Sequence, residues 1–421
     1  MRWRPCGTSM YKVLFIHKFF PGQFVHLARR LTRFPGVQVD AMASDPAGNV
    51  AGVRLHHYDL HNQGDGRIHP YLTRTEAAVC QGQSVLAACT LLAQGGYRPD
   101  LIIGHHGWGE LLYLKDLWPT VPLVGYFEFY YQGTGADVGF DPPGPVSLFD
   151  LARVRTLNMV NLTQLEAVDR GVSPTRWQRN LHPSPFRERL TQIHEGIDTA
   201  FASPGSPEAV TLSDGRSLSA DQEIVTYVAR DLEPYRGFHI MMRAAVPLLR
   251  SRPATQLVIA GGDGCSYGPP PDGGGNWRER LLAELGADLP LDRVHFLGSV
   301  PHADFINLMR LSRAHLYLTY PFVLSWSMLE AMSCGVVLVA SDTRPVTEVV
   351  EHGVNGLLVP FHDPAAVASG LVAALDMPMA QRLRLGNAAR RTVVERYDLE
   401  TIGLPGWLEM LHQEFGLPRP R

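Results

Sequence analysis

Along most of the chain, short apolar runs alternate with longer amphipathic ones. Tyr11–His17 predicts a buried strand, and Gly22–Arg33 a helix with Phe24, Leu27, Ala28 and Leu31 at helical spacing. Val37–Ala43, Leu101–Gly104 and Pro122–Phe127 predict further strands, with a helix at Glu76–Gln94. Strand–helix–strand repetition with apolar strands implies a parallel sheet covered on both faces.

The pattern then restarts. Glu223–Ala229, Gln256–Ala260, Val294–Leu297, His315–Thr319 and Val336–Ala340 read as strands. Helices are expected at Gly237–Arg250, Ala303–Leu311 and Ser325–Cys334. Between the halves lies Ser203–Asp221, rich in Ser, Pro, Gly and Asp, which is either the linker or a surface loop just after it. The run Gly268–Gly275 is a second irregular, surface insert. The expected division is an N-terminal Rossmann-like domain over residues 10–197 and a second over 198–397, after a disordered extension at 1–9. Two such α/β/α domains facing each other leave a cleft between their strand ends, where ligands bind.

A chain of 421 residues is long for one core, which agrees with two domains. The net charge of -3 argues against a broad phosphate-reading face, so no nucleic-acid partner is expected. No apolar run is long enough for a transmembrane helix, and residues 1–9 lead into nothing like a signal peptide. Five cysteines without a CxxC pair fit a reduced, cytoplasmic setting. Neither a DxD pattern nor His/Cys spacing calls for a metal, and no cofactor is expected.

Candidate chemistry is concentrated in the second half. Arg230 follows a strand and Arg236 precedes a helix; two guanidinium forks there suit a diphosphate, or they pair with Asp231 or Glu233. Gly262-Asp263-Gly264 ends a buried strand in a turn that a ligand could approach closely, or that simply lets the strand exit. The helix opening near Ser325 presents free N–H groups to an anion. Glu330 on that helix suits a neutral hydroxyl pair such as a ribose, or else faces solvent.

Taken together, Tyr317 to Ser341 resembles the donor signature of the retaining glycosyltransferases of family 4, which have the GT-B fold. Glu330 matches the glutamate that holds the ribose there, with Ser327, Met328 and Leu329 beside it at the donor. Arg230 and Arg236 match the pair that holds the diphosphate, and Gly262-Asp263-Gly264 the turn beside the base. Ile193–Asp198 and Gly353–Val359 resemble further family segments. The resemblance runs from Met10 over nearly the whole chain. It implies a nucleotide-diphosphate sugar as substrate (a UDP-sugar by default), retention at the anomeric carbon, and a helix over 398–417 returning to the first domain.

The chain departs from the family in three places. Phe322 stands where a glutamate normally faces the transferred sugar. The strand whose end carries the family's active-site histidine ends here in Glu128, which apolar neighbours should push toward its neutral form. Pro21-Gly22-Gln23 replaces a glycine pair; Gly22 is retained as a donor-side residue. These departures suggest a subgroup with a Glu128-centred site, with Glu128, Arg230 and Arg236 as the catalytic set, or else lost activity.

His105 follows a strand and is expected to line the sugar or acceptor site together with Phe322 and Ser325. Strand alternation sends His105 and His106 to opposite faces, so they should not share a metal. Asp137 lies in the glycine-rich loop after Glu128, which lines the acceptor site or is a plain connector. The acceptor stays open among a saccharide, a lipid-linked sugar and a small molecule; a lipid acceptor, as the resemblance allows, would bring the protein to the inner membrane surface. Oligomeric state is unread. The rival readings are a nucleotide-sugar epimerase on the same fold and a non-catalytic nucleotide-sugar binder. A dinucleotide oxidoreductase is disfavoured, because no GxGxxG follows the first strand.

Overall fold

The computed structural model describes residues 10–60, 67–212 and 214–419, so the extension expected at 1–9 lies outside the described residues. Two compact units form. The first comprises the described residues up to Gly139, then Gly144–Gly196, and the chain from Leu399 onward. The second comprises Phe140–Pro143 and Ile197–Asp398.

In the first unit the strands are β1 (Tyr11–Ile16), β2 (Val37–Ala43), β3 (Val53–His57), β4 (Leu101–His105), β5 (Leu123–Tyr126), β6 (Arg170–Ser173) and β7 (Leu190–Gln192). They form one parallel sheet in the order β3-β2-β1-β4-β5-β6-β7. The alternating side chains of β1 show why Val13–Ile16 is apolar throughout. Val13 and Phe15 join Leu27, Leu31 and Trp407 on one face, while Leu14 and Ile16 join Val85, Cys89 and Leu165 on the other. Trp407 belongs to the helix Leu404–Phe415 and packs on Phe24 and Tyr126.

The second unit opens with a two-stranded antiparallel hairpin, β8 (Val210–Thr211) and β9 (Ser217–Leu218). Its main sheet holds β10 (Glu223–Asp231), β11 (Thr255–Gly262), β12 (Val294–Phe296), β13 (Ala314–Tyr317), β14 (Val337–Ser341) and β15 (Leu357–Val359). The order is β12-β11-β10-β13-β14-β15, and every pairing is parallel. Each main sheet therefore reverses direction of growth once, between β1 and β4 and between β10 and β13. At such a point the connections leave in opposite directions and a crevice opens beyond the strand ends. Among the described residues no helix is long and apolar enough to cross a membrane.

Several expectations are corrected by the structure. The chain passes between units at Gly196/Ile197, so of the two readings of Ser203–Asp221 the linker falls and the segment just after it holds; it lies in the second unit and contains the β8–β9 hairpin. The helix expected over Gly22–Arg33 starts as a 3-10 turn at Gly22–Phe24 and becomes α-helical only at Val25–Leu31, because Gly22 sits at φ 45°. The helix Leu148–Ala167 was not anticipated. Its pattern is inverted: Leu148 and Phe149 are exposed, while Asn158, Asn161 and Gln164 are buried.

The helix Trp326–Cys334, which carries the sequence motif, is held by a backbone contact. A Cβ added to Gly386 on the helix Met379–Tyr397 would lie 2.2 Å from the Gly335 carbonyl oxygen. Gly386→Ala should therefore destabilise, because overpacking costs about 1–3 kcal/mol against a helix-propensity gain of about 1 kcal/mol. Urea midpoints measure it, and a midpoint equal to or above wild type would show that the two helices are not so closely packed.

Candidate functional site

In the second unit, chemistry gathers where β10 and β13 end. Beyond β10, Pro234–Arg236 makes one 3-10 turn that turns the Arg236 side chain back over the strand ends. Its guanidinium is buried and donates to Thr319 Oγ1 and the Val323 carbonyl at 2.9 Å, and to Tyr317 Oη at 3.3 Å. It also lies 5.0 Å from the Tyr267 ring centroid, a cation–π distance. Among the described residues no carboxylate reaches ion-pair distance of it. Arg230, at the end of β10, is exposed and likewise has no acidic partner among the described residues.

The pairing of these arginines with Asp231 or Glu233 is thus not what forms. Asp231 accepts from Ser266 Oγ. Glu233 is buried and accepts backbone N–H groups from Ser266 at 3.0 Å, Tyr267 at 3.2 Å and Gly268 at 2.8 Å. It fixes the loop that carries Tyr267. Phe322 packs edge-on against Tyr235 and Tyr267, with ring centroids 5.4 and 5.1 Å away. An aromatic wall stands where the sequence pattern leads one to look for a carboxylate.

Ser325 occupies the N-cap position of the motif helix without a side-chain capping bond. Its N–H donates to Tyr317 Oη at 3.0 Å, and its hydroxyl meets Ser327 Oγ at 2.9 Å. Met328 and Leu329 are fully buried, so only their backbone could face a ligand. Glu330 is not a solvent-facing glutamate: its carboxylate sits 2.6 Å from His302 Nε2, and that hydrogen bond raises the histidine's pKa. Gly262 ends β11, whereas Asp263 is turned to Arg278 at 2.6 Å.

The first unit gathers a second group where β1, β4 and β5 end. His17 Nδ1 accepts the Phe19 N–H at 2.9 Å, which places its proton on Nε2, 2.7 Å from Gln23 Oε1. The Gln23 amide then donates to Glu128 Oε1 at 2.8 Å. His105 Nδ1 accepts the Gly107 N–H at 2.9 Å, and its Nε2 lies 3.2 Å from Glu128 Oε2 at an angle poor for a hydrogen bond. Trp108 covers both imidazoles, with centroids 5.2 Å from His17 and 4.6 Å from His105. Gly22 is required by this packing, since a Cβ there would lie 2.4 Å from the His17 ring. Asp137 is buried in the loop that follows.

This arrangement reverses the expectation for Glu128. Burial does push its carboxyl up, but the contacts from His105 and Gln23 outweigh burial and hold it at about 2. It is a carboxylate, built to accept hydrogen bonds rather than to donate one. His17, by contrast, is brought down to about 3 by burial and by His105 beside it. The sequence pattern missed His17, Gln23 and Trp108. The available signal was position alone: His17 follows β1, as His105 closes β4, on either side of the reversal point. His105 and Glu128 come together; Arg230, Arg236 and Ser325 belong to the second unit.

Residues 35–202 match the family described as glycosyl transferase family 4 group, and residues 212–392 the one described as glycosyl transferases group 1. A D-inositol 3-phosphate glycosyltransferase of Thermobispora bispora is 29% identical over 84% of this chain and 81% of its own length. The enzyme of that name from Mycolicibacterium smegmatis is 31% identical, over 45% of this chain and 41% of its own. Among solved structures, sucrose-phosphate synthase of Thermosynechococcus elongatus superposes with TM-score 0.69 at 20% identity, covering 97% of this chain and all (100%) of that one. Anabaena HepE in complex with UDP and glucose gives 0.65 at 17%, covering 95% and 99%.

Both depressed groups carry a sign for stability. A folded-state pKa below the unfolded one stabilises above the unfolded value and loses that contribution as pH falls. For His17 the loss runs from 6.5 toward about 3, and for Glu128 from 4.5 toward about 2. Glu128→Gln should therefore leave the decline in urea midpoint between pH 6.5 and 4.5 in place and flatten the part below 4.5. A variant curve parallel to wild type below that point would show that Glu128 is not held as a low-pKa carboxylate.

Proposed function

We infer, for a chain that belongs to the family 4 glycosyltransferases of the GT-B fold, that the reaction moves a sugar from a UDP-sugar to an acceptor hydroxyl with retention at the anomeric carbon. The observation that carries this reading is Arg236, a buried guanidinium with no carboxylate within ion-pair distance among the described residues. Glu233 acts on it only from beyond ion-pair distance, and a buried charge without a close counter-ion costs several kcal/mol, so the site is suited to take one from a ligand. A diphosphate brings that charge, and Arg230 at the mouth of the same strand end adds a second fork.

The rest of the second unit supplies the donor's other contacts. The first-turn N–H groups after Ser325 favour the phosphate oxygens. Glu330 takes the ribose hydroxyls, either sharing its carboxylate with His302 or releasing it. Phe322 leaves the sugar end of the site without an acidic acceptor, so apolar stacking replaces a hydrogen bond there. HepE, which shares the fold, binds UDP, and this supports uracil as the base.

In the transfer, the bond from the anomeric carbon to the diphosphate oxygen breaks and its electron pair leaves with that oxygen. Arg230 and Arg236 stabilise the charge as it develops. The acceptor oxygen bonds to the same carbon from the leaving-group face, and its proton passes to the departing phosphate. Glu128, ionised and already oriented by two partners, accepts a hydrogen bond from a hydroxyl of sugar or acceptor. Its low pKa makes it a poor proton acceptor, so its role is orientation. No acceptor is assigned; the inositol 3-phosphate in the names of two relatives makes phosphorylated polyols the first class to try.

Thermal shift against UDP, GDP, ADP and TDP tests the donor half. Saturation at a hundredfold the dissociation constant adds about 2.7 kcal/mol, and UDP should give the largest shift. Arg230→Ala, which removes an exposed side chain, should weaken UDP by about 10- to 100-fold, the value of one charged hydrogen-bonding group at about 1.5–3 kcal/mol. Silence from all four nucleotides, or undiminished UDP binding by Arg230→Ala, would remove the donor site from this strand end.

A further inference from the structure

Glu128 stands two residues past the end of β5 and just beyond the last ladder bond, from the Phe127 N–H to the Val172 carbonyl oxygen at 2.7 Å. From there on, side chains hold the backbone. His106 is buried, with Nδ1 2.8 Å from the Tyr126 carbonyl oxygen and Nε2 3.2 Å from that of Phe129. The imidazole thus spans the carbonyls on either side of Phe127 and Glu128. The backbone N–H of His106 donates to the same Tyr126 oxygen at 3.2 Å. His106 is itself held from the helix Leu148–Ala167, where Gln164 Nε2 donates to its carbonyl at 2.8 Å. The Glu128 carbonyl accepts from Gln178 Nε2 at 2.7 Å.

Both groups facing the ring are carbonyls, and neither can donate. A neutral imidazole has one N–H, so it can satisfy only one of them. Burial, with His105 beside it, brings His106 down to about 3, which leaves it neutral at physiological pH. The other titratable groups acting on it are His182, which disfavours its charge, and Glu128, which favours it. Of the two contacts, the one at Nδ1 is shorter by 0.4 Å, the difference between 3.2 and 2.8 Å.

We propose that His106 is the positioning residue of Glu128, acting through an Nδ1–H donated to the Tyr126 carbonyl. The inference rests on Glu128 being the site carboxylate of the first unit. The Nε2 lone pair then faces the Phe129 oxygen without a proton between them. The chain entering Glu128 is fixed by His106, and the Glu128 peptide itself by Gln178. His106 touches neither substrate nor reacting atoms; what it sets is where Gln23 and His105 find the carboxylate.

Asparagine and glutamine replacements separate this role from simple packing. Asparagine carries its amide N–H near the position of Nδ1, and glutamine carries its own near that of Nε2. With UDP-glucose as the probe and released UDP as the readout, His106→Asn should keep kcat close to wild type. His106→Gln should lower kcat by about 10²-fold, the cost of a misplacement of about 1 Å, with KM for UDP-glucose unchanged. Equal losses in both variants, or no loss in either, would overturn the proposal. Glu128→Gln is run beside them: if it is as active as wild type, the reading of Glu128 falls and the proposal with it. If Glu128→Gln is impaired while His106→Gln is not, the proposal alone falls. A measurement that needs no turnover is ¹⁵N NMR of labelled histidine, which should show His106 as the neutral Nδ1–H tautomer between pH about 6 and 8. An Nε2–H tautomer or an imidazolium would overturn it.

Discussion

A guanidinium taken out of water without a carboxylate beside it is among the more costly things a protein interior can hold. Arg236 is in that position, and the second unit is organised around it. Two hydroxyls and a carbonyl all meet Nη1, and the Tyr267 ring lies within cation–π distance. The loop bearing Tyr267 is in turn fixed by Glu233 through its backbone N–H groups. Neutral partners hold one edge of the cation without cancelling its charge. Such an arrangement keeps a field directed at whatever anion enters.

The first unit solves the opposite problem. There the stored charge is negative, and an amide and an imidazole hold the Glu128 carboxyl in its ionised form against the effect of burial. Both solutions sit at the point where a parallel sheet reverses its order, β10/β13 in one unit and β1/β4 with the neighbouring β5 in the other. The topology explains why these places can hold charge at all. Backbone ladders end there, so N–H groups, carbonyls and side chains meet without a sheet face to fill.

Much of this was legible in the sequence, for definite reasons. Parallel strands buried on both faces carry runs of consecutive apolar residues with few polar interruptions, which made β1, β2, β10, β11 and β14 readable. Arg230, Arg236 and Glu330 could be singled out because they lie near predicted strand or helix ends and match positions of the family signature. What escaped reading was tertiary. Glu128 looked like a carboxyl stranded among aromatic residues, and its partners Gln23 and His105 come from segments far away in the chain. His302 beside Glu330 was equally invisible, since nothing local marks it. The helix Leu148–Ala167 was missed because its inner face is polar, which cancels the periodic signal by which helices are found.

That polar inner face bears on how the first unit assembles. An apolar helix face can settle onto a core in several registers, each burying similar area, and adjust afterwards. Asn158 and Gln164 have no such latitude. Asn158 both accepts from the Tyr131 N–H and donates to its carbonyl, and Gln164 reaches the carbonyl of His106. Until those two loops exist, sealing this helix against the sheet would strip water from amides with nothing to replace it. Its docking is therefore coupled to the shape of the segments around His106 and Tyr131: burying this face is favourable only where their backbone groups stand ready to meet Asn158 and Gln164.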